Sequence, residues 1–531
     1  MRARRESAVP DFTLMQHQSD AVKFLDSVDG IGALLFDPGV GKTGSTLAWV
    51  DTSHLLPREV RVLVVAPLTA ADTWVFQAPP FMDSPVKARM LQGSTTDILT
   101  KIAKARNWTT VPHAPIGIDH KGTVARQVSG NKVTIISVSA GAFSTYCSDR
   151  TKTVRVLRAI RKYAPHVVIV DESHIIKADG SNISKAMYQI GQLAPHRIIL
   201  TGTVEANGPL DVYGQWRFMA PWTFSHEYGA DFTKEPLKMT VTQQKAIRPW
   251  PYGHFEKRYS IPGGYKGKGV KDYHNLNELH DRVAERSMVV RKEDALDLPP
   301  VTDMDVHIQL NAREAKAYRE MAEDLAMELE SGELLEVPNV LAKLMKLRQI
   351  HAGFVKDTET GEVHIIGSTL RRAVKEIVDV QLAGEQRLVV FAYFRSECEL
   401  LAKSLAAKGQ TVELITGTTK AADRLAIRRR FADVSGNPER TILVAQQRTM
   451  SVSVNELVTA QNAIFASMSE RRNDWVQARG RLDRNGQVGQ HVTFWNVFAP
   501  SLIGNIMLNS HKAKGDLEAR LLDHIRDFAR G

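Results

Sequence analysis

Cysteine is nearly missing from this chain: Cys147 and Cys398 are the only two in 531 residues, and they stand too far apart for metal-ligand spacing. That argues against a disulfide framework and a thiolate zinc module, and suits a reducing compartment. Long apolar runs are missing as well. Aliphatic stretches such as Val62–Val65 fall far short of the roughly 20 residues a helical membrane span needs. Met1–Arg5 is basic, but no apolar segment follows it, so no secretory signal is read. Charge of one sign does not dominate: 69 Lys and Arg against 59 Asp and Glu leave +10. That excess permits a polyanionic partner without establishing one. Hydrophobic (43%) and charged (24%) shares are ordinary for soluble globular protein. A chain of 531 residues is too long for one core, so several domains are expected. The protein is expected to be soluble and cytoplasmic, without a membrane partner.

The stretch Val167–His174, VVIVDESH, places four apolar β-formers before two acids, a Ser and a His. Such a run suits a buried parallel strand that delivers acids at its carboxyl end, where open α/β sheets bind ligands. A strand ending in Asp-Glu forms the second half of a nucleotide site. Asp171 would hold Mg²⁺ and Glu172 would orient the attacking water. Taken alone, the stretch is equally a core strand followed by a solvated turn.

Upstream, the apolar Ala33–Phe36 leads into Asp37-Pro-Gly-Val-Gly-Lys-Thr43 and a helix near Ser45–Val50. Strand, glycine-rich turn, Lys-Thr, helix is the order of a phosphate-binding loop. Backbone N–H groups of Gly39, Val40, Gly41, Lys42, Thr43 and Gly44 would close around the β-phosphate, aided by the helix N-terminus. Lys42 would reach the β- and γ-phosphates, and Thr43 would ligate Mg²⁺. One departure stands out: Phe36 occupies the position where the full pattern has Gly. Before the loop, Leu14–Leu25 has helical spacing. Gln18, at its start, is either a polar cap or an amide that holds the edge of adenine.

Further apolar runs at Arg61–Ala66, Val133–Val138 and Arg197–Thr203 alternate with helical stretches, among them the basic Val154–Tyr163. This rhythm predicts a doubly wound α/β sheet of the RecA type. Thr201, Gly202 and Thr203 would lie at its ligand edge, linking the acidic pair to a neighbouring domain. Thr110–Gly130 is polar and aperiodic and reads as a loop or hairpin insertion.

The order of segments resembles a superfamily-two helicase. Arg286–Pro300 (RSMVVRKEDALDLPP) and Leu344–Phe354 (LMKLRQIHAGF) narrow this to the Swi/Snf family of DNA-translocating ATPases. The second half repeats the α/β rhythm without a phosphate loop, at Arg387–Ala392, Val412–Ile415, Thr441–Ala445, Ala463–Phe465 and Val492–Val497. Gln477–Gln487 (QARGRLDRNGQ) matches the family's last motif. Its spacing predicts Gln477, Arg481 and Arg484 on one helical face. The resemblance makes the two arginines fingers that offset γ-phosphoryl charge. Met450–Leu457 (MSVSVNEL) departs from the family's glycine-rich stretch, and Asn455 stands where the family has Asn.

The resemblance implies two RecA-like doubly wound lobes with a mainly helical inter-lobe insertion. The expected division is 1–220 for the ATP-binding lobe, 221–365 for insertion and linker, and 366–531 for the helicase lobe. It implies a compact, monomeric motor without reader domains, in a bacterial or viral setting. ATP and Mg²⁺ would be used on double-stranded or branched DNA, beside replication or recombination proteins. Lys266, Lys268 and Lys271, in the basic stretch Gly263–Lys271, would approach phosphates. A strand-separating helicase and a non-hydrolysing DNA-binding scaffold remain the alternatives.

Overall fold

The computed structural model describes residues 13–67, 70–71, 73–106, 117–118, 124–126, 132–144, 150–202, 208–225, 247–263, 269–331, 337–407, 409–436, 439–450, 456–469, 471–484 and 486–499. The chain divides into two compact units, Met1–Leu296 and Asp297–Gly531.

In the first unit the strands are β1 (Ile31–Phe36), β2 (Glu59–Ala66), β3 (Val86–Leu91), β4 (Gly117–Ile118), β5 (Val124–Arg126), β6 (Lys132–Ser139), β7 (Val167–Asp171) and β8 (His196–Leu200). A small hairpin, β9 (Ser260–Pro262) with β10 (Val270–Tyr273), precedes β11 (Ser287–Val290). The nine-stranded sheet runs β11-β1-β8-β7-β2-β6-β3-β5-β4. Every pairing is parallel except β3 with β5 and β5 with β4. Parallel strands covered on both faces read as continuous apolar runs, and Val62–Ala66 and Val167–Val170 are wholly buried.

Register does the positioning. Leu200 pairs with Leu34 of β1 on one side and with Asp171 of β7 on the other. Asp171 is therefore level with Leu34, two residues before the end of β1, with one strand between them, roughly 10 Å apart at the usual strand spacing.

The RecA-type α/β expectation holds, but the sheet is wider than the apolar runs alone suggested. β3 (VKARML) alternates polar and apolar residues, β11 is a four-residue strand, and β4 with β5 forms a short antiparallel pair inside the stretch read as a loop or hairpin.

The second unit begins with β12 (Val301–His307) and includes a hairpin of β13 (Phe354–Lys356) with β14 (Val363–Ile365). Its sheet is completed by β15 (Arg387–Ala392), β16 (Gln410–Ile415), β17 (Arg440–Gln446), β18 (Asn462–Phe465) and β19 (Val492–Phe498). The order is β12-β19-β18-β15-β17-β16, and all pairings are parallel. Helices Ala312–Ser331 and Val337–His351 precede the strand β15. β12 (VTDMDVH) is a largely exposed edge strand, and its charges hide it from an apolar reading.

Helix Val212–Met219 packs close to the segment that follows the Asp171-Glu172 pair. A Cβ on its Gly214 would lie 2.2 Å from the Ile176 carbonyl oxygen and 2.7 Å from that of Lys177. Backbone cannot step aside as a side chain can. Gly253, in helix Tyr252–Tyr259, faces open space. Gly214→Ala is expected to destabilise the first unit by about 3 kcal/mol through overpacking. Gly253→Ala is expected to be neutral or to stabilise by up to about 1 kcal/mol. Urea unfolding followed by tryptophan fluorescence checks both; equal behaviour of the two variants would contradict the packing argument.

Candidate nucleotide site and the second sheet edge

The turn after β1 is built for close approach. Gly39 and Gly41 adopt φ of +90° and +95°, a left-handed conformation that costs other residues about 1–2 kcal/mol. A Cβ on Gly41 would fall 2.2 Å from Gln18 Nε2. The loop is fixed on its far side by two bonds. The Asp37 N–H donates to the Val290 carbonyl at 3.1 Å, and the Asp37 carboxylate accepts the Lys292 N–H at 3.0 Å. The helix of the loop, α2 (Lys42–Thr52), follows α1 (Gln16–Ser27) in the chain and starts immediately after Gly41. Lys42 Nζ donates to the carbonyls of Phe36 at 2.7 Å and Asp37 at 3.4 Å. The N-terminus of this helix leaves its first amides directed outward, the arrangement that binds anions.

Gln18 makes a capping contact here: its Oε1 accepts the Met15 N–H at 3.0 Å while the residue is 3% exposed. Its Nε2 end meets Gly41 at the same time. Its neighbour His17 donates from Nε2 to the Val40 carbonyl at 2.8 Å. Two consecutive residues of helix Gln16–Ser27 therefore touch two consecutive residues of the loop.

At the end of β7, Asp171 is buried, and its carboxyl is pushed up to about 6 by loss of solvent and by the adjacent Glu172 charge. Three groups oppose this. The Trp74 indole N–H donates to Oδ2 at 2.9 Å, the Glu172 N–H donates to Oδ1 at 3.0 Å, and the Lys42 charge favours the ionised form. Glu172 itself holds φ +51°, a left-handed backbone that costs a non-glycine residue about 1–3 kcal/mol and concentrates at functional positions. Its carboxylate is 3.4 Å from His174 Nδ1. Ser173 Oγ donates to Gln215 Oε1 at 2.6 Å, tying this turn to helix Val212–Met219.

Thr201 is wholly buried and its N–H donates to the Leu34 carbonyl at 3.3 Å. A Cβ on Gly202 would stand 3.1 Å from Pro38 Cδ, so this turn abuts the loop. Thr203, Lys266, Lys268 and Asn455 lie outside the described residues. Lys271 is exposed on β10.

In the second unit, the helix carrying Gln477 spans Arg472–Arg479 and stops at Gly480. The expectation that Gln477, Arg481 and Arg484 share one helical face is corrected here. After Arg479 the backbone tightens into turns, with Arg481 N–H on the Ala478 carbonyl and Leu482 N–H on that of Arg479. Gln477 and Arg481 are buried. Burial lowers the Arg484 guanidinium, with Glu456 opposing the shift.

A polar cluster lies where β15, β17 and β18 end. Glu397 is buried and pushed up to about 7 by loss of solvent. Its Oε2 accepts the Ser467 hydroxyl at 2.7 Å and the Phe394 N–H at 3.4 Å. Arg348 lies over the Tyr393 ring at 3.8 Å and donates to the Met468 carbonyl at 2.6 Å.

Among the described residues no group of three or more His, Cys, Asp and Glu stands together as a metal cage. Mg²⁺ does not need one, because it keeps several waters and binds through one or two carboxylates plus phosphates. The buried Asp171 carboxylate, the Lys42 ammonium and the glycine turn at a helix N-terminus fit Mg²⁺ with a polyphosphate. Among the described residues no helix is long and apolar enough to cross a membrane.

Sequence reasoning missed Trp74, His17 and Phe81. The one signal for Trp74 was its place seven residues after Pro67, which follows β2.

These features define a protein of two RecA-like α/β lobes, mostly parallel in their sheets. The chain belongs to the SNF2-related domain family, whose model matches residues 17–353. It is 22% identical over 479 residues to the SWI/SNF-related matrix-associated actin-dependent regulator of chromatin subfamily A-like protein 1 of Xenopus laevis, aligned over 89% of this chain and 40% of the relative. It is 21% identical over 481 residues to the DNA annealing helicase and endonuclease ZRANB3 of Homo sapiens, over 89% of this chain and 37% of that one. A probable global transactivator of Orgyia pseudotsugata multicapsid polyhedrosis virus is 21% identical over 502 residues, covering 89% and 84%. The solved Sulfolobus solfataricus SWI2/SNF2 ATPase core in complex with dsDNA aligns with a TM-score of 0.38 at 16% identity, covering 97% of this chain and 94% of that one. The chain spans about two fifths of the length of the first curated relatives it matches.

The Glu397 carboxyl yields a pH prediction. Its folded value of about 7 lies above the ordinary 4.5, so the native state binds this proton more tightly than the unfolded chain. The resulting stability is fully present below the ordinary value and is lost as pH rises through the folded one. Glu397→Gln should flatten this dependence. Relative to wild type, the variant should gain about 1–3 kcal/mol between pH 5 and pH 8, measured by urea unfolding at both; parallel curves would refute it.

Proposed function

We propose that this chain is a DNA-stimulated ATPase that moves on duplex or branched DNA and remodels DNA or protein–DNA complexes. One observation carries the reading: a glycine turn with Lys42-Thr43 at a helix N-terminus and the buried Asp171 with its neighbour Glu172 lie at the carboxyl edge of a parallel sheet, on strands separated by one other. That edge is where open α/β sheets bind nucleotides.

The backbone N–H groups of Gly39, Val40, Gly41, Lys42, Thr43 and Gly44 surround the phosphates. Lys42 exchanges its two carbonyl partners for phosphate oxygens and neutralises their charge. The Thr43 hydroxyl and Asp171 carboxylate would hold Mg²⁺, which would supply charge neutralisation to the phosphates. Glu172 orients the attacking water and takes up its proton. Gln18 exchanges its cap contact with Met15 for the edge of adenine. Gln477, Arg481 and Arg484 offset charge gained by the transferred phosphoryl group, a role worth about 10³–10⁵ in rate where measured in other enzymes.

Thr201, Gly202 and Thr203 relay the state of the acidic pair. Lys266, Lys268, Lys271 and Asn455 hold the DNA backbone, giving binding that weakens with salt and carries little sequence preference. We further propose the three-part division 1–220, 221–365 and 366–531, and a monomer that works in the cytoplasm of a bacterial or viral system beside replication or recombination proteins. The names of relatives, an annealing helicase and an ATP-dependent helicase among them, are in line with this motor class.

The test is ATP turnover without nucleic acid and with duplex, single-stranded and forked DNA or RNA. Duplex should stimulate most, and Glu172→Gln should cut turnover by about 10²-fold or more while nucleotide still binds. Preference for single strands or forks would favour the strand-separating helicase. No hydrolysis under any condition would reject the motor and leave the scaffold.

A further inference from the structure

The helix Thr73–Phe81 touches the site at both of its ends. Near its start, the fully buried Trp74 directs its indole N–H at Asp171 Oδ2, 2.9 Å away. At its end, Phe81 lies against α2, where a Cβ on Gly44 would stand 2.3 Å from Phe81 Cε1. The other Asp171 oxygen, Oδ1, accepts the Glu172 N–H at 3.0 Å. Each carboxylate oxygen therefore has one protein donor and keeps a lone pair free of it.

We infer that Trp74 is a positioning residue for the metal-binding carboxylate, fixing the rotation of Asp171 through a single N–H donor. Without that donor the carboxyl plane is held only by the Glu172 amide on one oxygen, and rotation about its Cβ–Cγ bond loses a constraint. A side chain chosen only to fill the core would need no polar atom here; phenylalanine or leucine would serve. An indole is instead a bulky apolar body with one N–H handle, and buried tryptophans usually find a partner for it. Partners that orient metal ligands typically change metal affinity or activity about 10–100-fold when removed. Phe81, on the same helix, ties this orientation to the helix that bears Lys42 and Thr43.

The inference rests on the nucleotide-site reading and is tested apart from it. Trp74 is replaced by 3-benzothienylalanine, which keeps the bicyclic shape and puts sulfur where the N–H was; Trp74→Phe is the second variant. Mn²⁺ affinity is read by electron paramagnetic resonance with a non-hydrolysable ATP analogue present, and analogue affinity is read separately in EDTA. The expected result is Mn²⁺ affinity reduced about tenfold in both variants, with metal-free analogue affinity and thermal midpoint of the isosteric variant near wild type. Unchanged Mn²⁺ affinity in the isosteric variant overturns the inference and leaves Trp74 as core. Loss of analogue affinity in EDTA to the same degree also overturns it, since the defect would then lie in the loop. If wild type binds neither analogue nor Mn²⁺, the nucleotide reading itself fails and takes this inference with it.

Discussion

A carboxylate at the end of a fully buried strand is the constraint that shapes the first unit. Val167–Val170 are all wholly buried, and burying each such side chain is worth about 1.5–3 kcal/mol. That stabilisation anchors β7 in the middle of the sheet, and the same burial strips solvent from Asp171. The neighbourhood answers with donors and positive charge rather than with water: Trp74, the Glu172 amide and Lys42. The elements supplying them come from three separate stretches of chain, so the site exists only when the sheet is assembled. The level register of β1, β8 and β7 is what brings the loop's lysine close enough to act on the acid at all.

The second unit repeats the sheet without repeating the chemistry. Its six-stranded sheet is all parallel, yet no glycine turn follows β15. Instead, Tyr393 and Phe394 follow β15, with Glu397 and Arg348 behind them. Ser467 bridges this group by donating to Glu397 and accepting the Tyr393 N–H at 2.9 Å. Glu397 Oε1 is buried without a hydrogen-bond partner among the described residues, and a buried polar atom left so is costly. Loss of solvent pushes the Glu397 carboxyl up, and the nearby Arg348 charge opposes that shift.

What was legible in the sequence follows from how much the chemistry restricts residue choice. Gly39, Gly41, Lys42 and Thr43 were legible because left-handed turns and phosphate contacts admit few residue types. Asp171-Glu172 stood out only in the company of the upstream glycine turn, because alone the stretch reads equally as a core strand and a solvated turn. Trp74, Phe81 and His17 were not, since their roles depend on which strand and loop the sheet sets beside them. The single helical face drawn for Gln477, Arg481 and Arg484 failed at Gly480, where spacing alone cannot report that the helix ends. β11 and β12 escaped notice for a different reason: edge strands are short and partly solvated, so the apolar signal that marks central strands is weak there.

The glycine turn after β1 is gripped from several directions, and this bears on how changes in it combine. His17 and Gln18 hold Val40 and Gly41, Asp37 is tied to Val290 and Lys292, and Phe81 limits α2 at Gly44. Groups that share one backbone segment do not contribute independently, because displacing one alters the geometry offered to the others. The Gly41 position makes this concrete. Any side chain there meets the Gln18 amide, so a change meant to test backbone freedom also disturbs a buried cap and the helix it begins. The loop's conformation is thus a property of the folded unit as a whole, and the seven residues Asp37–Thr43 specify it only in the company of elements that lie from Gln16 to Lys292.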